Sequence, residues 1–221
     1  FGRGYGQDVV RTGPQGYAPT GLDVVRFLDG IAPADVALAN HANDLVITLN
    51  GLTDQLTLEG YFTAPHETVD QFLFADGTVW THAEIMDRGR TFVGTGASDT
   101  VDGSAGDDTM QGMGGDDSLY GHEGHDVLEG GQGNDYLVGG VGRDTYLFAR
   151  GAGYDRIDDS GALADVDVVQ LGQGIAPGDV RLLAQANNDE VILTVRDSSD
   201  QLGLNWFNWD PEYRIDQIRF E

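Results

Sequence analysis

From Gly94 to Leu147 the chain repeats every nine residues: GTGASDTVD, GSAGDDTMQ, GMGGDDSLY, GHEGHDVLE, GGQGNDYLV and GGVGRDTYL. Glycine opens every copy, at Gly94, Gly103, Gly112, Gly121, Gly130 and Gly139, and returns at the fourth place in all but one, where Ala97 stands. The sixth place is aspartate without exception, at Asp99, Asp108, Asp117, Asp126, Asp135 and Asp144. The eighth is apolar: Val101, Met110, Leu119, Leu128, Leu137 and Tyr146. A period this short leaves no room for a conventional core and points to a solenoid, in which each repeat is buried only by its neighbours. Glycines at places one and four allow positive φ and close backbone approach in a tight turn, so Ala97 is expected to weaken the first turn. Places seven to nine set one apolar residue between polar or small ones, as a three-residue strand with a single inward side chain requires.

If each nonamer makes half a turn of a flattened coil, copies n and n+2 stack in one sheet at a spacing of about 4.8 Å. Val101, Leu119 and Leu137 then line one inner face, and Met110, Leu128 and Tyr146 the other. The six aspartates form two columns of carboxylates that repel one another without a cation. Calcium suits such a column: it takes about six to eight oxygens from carboxylates and carbonyls in a flexible geometry, whereas magnesium demands a tight octahedron and keeps its waters. One inward side chain per nonamer does not offset the entropy of ordering the whole repeat. The array is therefore expected to stay disordered without metal and to fold as it binds.

The charge balance agrees. There are 37 acidic residues against 12 basic ones, all arginine, for a formal net charge of -25. Lysine is absent, which excludes a P-loop or Schiff-base lysine, and so acidic a chain repels phosphate backbones and anionic lipid. Neither nucleic-acid binding nor membrane insertion is expected, and cations are the natural partners. Cysteine is absent too, so there are no disulfides and no thiolate zinc sites. No apolar run is long enough to span a bilayer, and "FGRGYGQDVV" lacks the layout of a signal peptide. The first residue is not Met, so the chain reads as excised from a longer one. No G-x-S-x-G, H-E-x-x-H, G-x-G-x-x-G or EF-hand loop occurs, and no catalytic residue is expected.

A larger repeat encloses the small one. Past Leu147 the register slips by two residues, and "RGAGYDRID", with Asp155, reads as a worn seventh copy. The same remnant, "RGYGQDVVR", with Asp8, lies near the start. Each is followed by matching stretches: "DVVRFLDGIAPADV" from Asp23 and "DVVQLGQGIAPGDV" from Asp167, "DQLTLEGYF" from Asp54 and "DQLGLNWF" from Asp200, "DQFLF" from Asp70 and "DQIRF" from Asp216. The expected organisation is an N-terminal flanking module over 1–93, a nonapeptide roll over 94–149 and a C-terminal capping module over 150–221. Alternation in "NDLVITL", "DEVILTV", "DQLTL" and "DQIRF" predicts antiparallel strands. A short helix is expected at Thr81 to Asp87, where Thr81 and Glu84 form a capping box.

The six copies resemble the repeats-in-toxin (RTX) array, the calcium-binding nonapeptide named among standard repeat architectures. The flanks resemble the haemolysin-type calcium-binding-related domain, through "DVVxL" and "DGTVWTHAEI". The resemblance implies an all-β chain: a right-handed parallel β-roll, flanked by small antiparallel β modules with one short helix. It also implies a bacterial protein exported unfolded by the type I secretion machinery, which then folds outside the cell in calcium, with enzymatic or toxic activity residing in other domains. A monomer is expected. Carried over residue by residue, the metal-ligating aspartate falls on Asp99, Asp108, Asp117, Asp126, Asp135 and Asp144. Pairing n with n+2 gives 99/117, 108/126, 117/135 and 126/144, and Asp135 with Asp155 adds a fifth, for about four to five Ca2+ ions. Asp8 would need an array preceding it.

Other features favour plainer readings. His122 and His125 in "HEGH" occupy turn places, not one face of a helix, and are read as tolerated substitutions instead of zinc ligands. Asp107 and Asp116 are read as solvated or outer-shell groups. Trp206, Phe207, Trp209 and Tyr213 are expected to form a small core capping the roll; the alternative is a sugar-stacking platform, which would make the chain a glycan- or surface-binding segment of an adhesin.

Overall fold

Alternation and glycine punctuation translate into strands and turns. The computed structural model describes residues 1–11, 22–41, 44–62, 69–159, 165–184, 190–204 and 215–221, and their regular elements are almost all β-strands. They divide into two units, Phe1–Thr91 and Phe92–Glu221. Among the described residues no helix is long and apolar enough to cross a membrane.

The first unit holds β1 (Gln7–Arg11), β2 (Val24–Arg26), β3 (Val36–His41), β4 (Asp44–Leu49), β5 (Gln55–Glu59), β6 (Gln71–Leu73), β7 (Val79–Thr81) and helix α1 (His82–Met86). Strands run β1-β5-β4-β3 in one sheet and β2-β6-β7 in another. β3, β4 and β5 pair antiparallel, as do β6 and β7, whereas β1 with β5 and β2 with β6 are parallel. Along β4 every second residue, Leu45, Ile47 and Leu49, is buried, the period a pleated strand dictates. These meet Leu58, Tyr61, Phe72 and Trp80, and Phe27 stacks on Phe74 at 4.5 Å, in an aromatic-rich core. Helix α1 starts as its capping box requires: Thr81 Oγ1 accepts the Glu84 N–H at 3.2 Å, and Glu84 Oε2 accepts the Thr81 N–H at 2.7 Å.

Strand β8 (Thr91–Val93) spans the boundary, and the nonamers follow as β9 (Thr100–Asp102), β10 (Thr109–Gln111), β11 (Ser118–Glu123), β12 (Val127–Glu129), β13 (Tyr136–Val141) and β14 (Thr145–Phe148). Each strand begins at the seventh place of its copy. Odd and even copies stack in separate parallel ladders, with Val101, Leu119 and Leu137 in register in one and Met110, Leu128 and Tyr146 in the other. This is the β-roll expected from the spacing. All six eighth-place side chains join one apolar cluster, and of the six Val101 alone is only partly buried.

The C-terminal strands are β15 (Tyr154–Ile157), β16 (Val168–Leu171), β17 (Val180–Ala184), β18 (Val191–Val195), β19 (Gln201–Leu204) and β20 (Gln217–Phe220). They extend the two ladders, giving the orders β10-β12-β14-β16-β20 and β17-β18-β19-β15-β13-β11-β9. The two-residue slip is absorbed where Tyr136 pairs with Arg156 and Leu137 with Ile157. β17, β18 and β19 are antiparallel as expected. The terminal "DQIRF" departs from expectation: β20 lies parallel to β16, with Val169 opposite Ile218, because its Asp-x-apolar start repeats the sixth to eighth places of a nonamer and continues the coil. Trp206, Phe207, Trp209 and Tyr213 lie outside the described residues; their counterpart Tyr61 is fully buried beside Phe62.

Candidate metal centre

The sixth-place aspartates end the turns, immediately before the strands, so strand register stacks them. Each carboxylate is tied to the coil before it: Asp117 Oδ1 accepts the Asp99 N–H, Asp126 Oδ1 that of Asp108, Asp135 Oδ1 that of Asp117 and Asp144 Oδ1 that of Asp126, all at 2.8 Å. Asp155 Oδ1 takes the Asp135 N–H at 3.1 Å, which brings the worn seventh copy into the column. All five pairings read from the sequence are therefore adjacent in space. Asp108, Asp117, Asp126, Asp135, Asp144 and Asp155 are each at most 2% exposed, and Asp99 is half-buried.

The second carboxylate oxygen divides the array. In Asp117, Asp126, Asp135 and Asp144 the Oδ2 atom is buried and has no hydrogen-bond partner, a costly state for an ionised oxygen. Each points over the glycine that opens its own copy, at Gly112, Gly121, Gly130 or Gly139, where a Cβ would collide with it. Over Gly112 and Gly121 the carbonyls of Gly130 and Gly139, from the copy two places on, approach the same point. An orphaned carboxylate oxygen and a backbone carbonyl thus converge on a space that only glycine leaves open, and hard oxygen donors of this kind fit calcium.

The first two copies differ. Asp99 Oδ2 accepts the N–H of Thr95 at 2.6 Å and its hydroxyl at 2.8 Å, and Ser104 binds both oxygens of Asp108 at 3.0 Å. In later copies the second place carries Met113, His122, Gly131 and Gly140 at φ between 78° and 105°, and the fourth carries Gly115, Gly124, Gly133 and Gly142 at 104° to 148°. Left-handed φ therefore falls on places two and four, and first-place glycines serve close approach alone. Ala97 does not enter the left-handed region, and its turn is closed by Thr95, whose hydroxyl accepts the Ala97 N–H at 3.2 Å.

Places five and six make opposed ladders. Ser98, Asp107, Asp116, His125 and Asn134 each accept, through a side-chain atom, the backbone N–H of the residue stacked on it: Asp116, His125, Asn134, Arg143 and Tyr154 respectively. His125 Nδ1 is thus an acceptor in a register ladder, and Asp107 and Asp116 have structural partners of their own. The recurrence of acceptors at the fifth place was the available signal for this ladder, and sequence reasoning overlooked it.

Crowding and burial raise the carboxylate pKa values. Burial is the first cause in each case, followed among raising causes by the stacked aspartates, or for Asp135 by the fifth-place Asp116: Asp126 is pushed up to about 7 and Asp155 to about 7, Asp144 to about 6, and Asp117 and Asp135 move the same way. Sequence reasoning also missed Asp159 and Asp167, both buried beside Asp144. For Asp167 a signal existed, since Asp167-Val168-Val169 repeats the Asp-x-apolar triplet of the array; for Asp159 there was none.

A parallel coil with stacked, partnerless carboxylate oxygens is a calcium-binding β-roll. The family comparisons agree: residues 93–128 and again 114–146 match the RTX calcium-binding nonapeptide repeat (4 copies), and residues 44–84 match the haemolysin-type calcium binding protein related domain. The chain thus carries RTX repeats together with a haemolysin-type calcium-binding-related segment. Among solved structures it is similar to a subunit of the Azotobacter vinelandii mannuronan C5-epimerase, 28% identical over 50% of this chain and 71% of that one, with a TM-score of 0.41. It is also similar to the extracellular lipase of Serratia marcescens, 19% identical over 98% of this chain and 34% of the lipase, with a TM-score of 0.44. The chain spans about a third of that lipase's length. No curated protein sequence matched.

Proposed function

We propose that this chain is a calcium-dependent folding module of a larger secreted bacterial protein, with Asp99, Asp108, Asp117, Asp126, Asp135, Asp144 and Asp155 as its metal-binding aspartates. The observation that carries this reading is the set of four buried Oδ2 atoms without partners, at Asp117, Asp126, Asp135 and Asp144. Protons or a divalent ion can satisfy them, and at neutral pH in millimolar calcium the ion wins. Asp99, Asp108 and Asp155 complete the columns, and the n, n+2 pairs hold about four to five ions. Calcium supplies the positive charge that lets stacked carboxylates remain ionised in a buried column, so its binding free energy becomes folding free energy. In a cytosol poor in calcium the array stays open and passes through a type I secretion channel; outside, calcium traps the roll as a monomer. The absence of cysteine, the net charge of -25 and the RTX match support this reading. The test is circular dichroism of the array with chelator, then with calcium or magnesium: recovery of β signal with calcium and not with equal magnesium is expected, and a spectrum indifferent to chelator would overturn it.

A further inference from the structure

The regular nonapeptide pattern ends at Leu147, and Asp144 is its last sixth-place aspartate, yet the corner above Asp144 is filled. Asp167, at the start of β16, accepts the Asp144 N–H through Oδ1 at 2.8 Å, the same bond that links successive copies. Asp159 enters from the segment after β15 and has no counterpart in the repeat. One oxygen from each of Asp144, Asp159 and Asp167 lies within 4.8 Å of the others, and all three residues are at most 3% exposed. Asp144 Oδ2 and Asp159 Oδ2 are buried and partnerless. Among the described residues none of the three forms an ion pair.

The carboxylate of Asp159 is also held in place. Its Oδ1 accepts the Tyr146 hydroxyl at 2.6 Å and the Gly140 N–H at 3.2 Å, while the Tyr146 oxygen accepts the Gly139 N–H at 2.7 Å. Tyr146 is the only tyrosine at an eighth place, where the other copies carry Val, Met or Leu, and its hydroxyl orients Asp159 from inside the roll. This leaves Asp159 Oδ2 as a fixed, desolvated acceptor beside two further carboxylates. Three buried acids with no cationic side chain must hold protons or a metal, and an all-oxygen carboxylate set selects a hard cation over zinc or copper.

We infer that Asp144, Asp159 and Asp167 form a calcium site outside the nonapeptide pattern, which fastens the C-terminal strands to the last coil. Two of its three ligands belong to the flank, so closing this site makes docking of β16 calcium-dependent. Through the Asp167 N–H to Asp216 Oδ2 bond at 3.2 Å, the same ion steadies the segment leading into β20. The identity of the ion rests on the reading proposed above; the position and donor set do not.

The test is ion counting by native mass spectrometry on the full chain in calcium, comparing wild type with Asp159→Asn, which leaves every repeat aspartate intact. One ion fewer is expected in the variant, together with a lower melting temperature in calcium. If the three acids merely share protons, removing one relieves repulsion, so an unchanged ion count or a raised melting temperature overturns the proposal. A wild-type chain that binds no calcium at all would instead sink the reading under which the ion was named. Should Asp159→Asn fail to fold, terbium replaces calcium and Tyr146→Phe is compared with wild type: tyrosine-sensitised emission is expected to fall, and unchanged emission overturns the proposal.

Discussion

The two flanking modules are built alike and differ in what lies against them. In the first unit Asp54 accepts the N–H groups of Gly4 and Gly6, both at 2.8 Å; in the second Asp200 accepts those of Gly151 and Gly153, at 2.9 and 3.2 Å. Asp23 and Asp70 exchange the same backbone and side-chain bonds as Asp167 and Asp216. Yet Asp155 and Asp167 are buried, while their counterparts Asp8 and Asp23 are exposed. Val10 is 41% exposed where Ile157 is 1%, and Val24 is 43% exposed where Val168 is 5%. The cause is that β13 and β14 lie on β15 and β16, whereas β1 and β2 end their sheet orders. An aspartate of this motif is buried where a coil is stacked on it and exposed where none is. The first unit has an aromatic-rich core, whereas the array stacks buried carboxylate oxygens without hydrogen-bond partners.

Chelation separates the two most strongly. By hydrogen exchange of the whole chain, amides of β10 to β13 are expected to lose protection in excess chelator while those of β4 and β5 keep it; uniform loss or uniform protection would break the comparison. Next in size, Asp155→Ala leaves a bound ion undercompensated and is expected to cost about 3 kcal/mol in calcium, whereas Asp8→Ala, at an exposed site, should stay within about 0.5 kcal/mol; paired thermal melts decide it. Within the array, Gly130→Ala places a methyl group against Asp135 Oδ2 and should cost about 1–3 kcal/mol, while Gly96→Ala meets open space at ordinary φ and should be neutral.

The smallest effect expected is on pH. Asp126 and Asp155 have metal-free pKa values raised to about 7 and Asp144 to about 6, so the metal-free roll binds more protons than the open chain. The contribution of these groups to the metal-free roll is fully present below the ordinary carboxylate range and is lost as pH rises through about 6 to 7. Calcium must displace those protons, so apparent affinity should weaken several-fold as pH falls across the same window. Asp54 moves the opposite way, held low by the Gly4 and Gly6 N–H groups, and its contribution is lost only as pH falls through its lowered value. Calcium titrations monitored by array fluorescence between neutral and mildly acid pH test the sign.

Much was legible from the period alone, since a fixed nine-residue spacing decides which side chains stack. Strand positions, the two inner faces, the aspartate columns and four of the neighbouring pairs all follow from it; the fifth, Asp135 with Asp155, needed the worn copy to be recognised across its two-residue slip, and the capping box at Thr81 and Glu84 located α1. The fifth-place ladder was equally periodic but hidden, because Ser, Asp, His and Asn share a role as acceptors without sharing a chemical class. The closed turns of the first two copies depended on one hydroxyl each, at Thr95 and Ser104.

The amino-acid order by itself determined the coil, its register and the stacking of its aspartates, because those depend on neighbours at constant separation along the chain. Only the tertiary structure decided that β20 runs parallel to β16, that Asp8 and Asp155 differ in burial despite matching motifs, and that Asp159 joins Asp144 and Asp167. Those outcomes depend on where loops of irregular length return the chain, and no period encodes that.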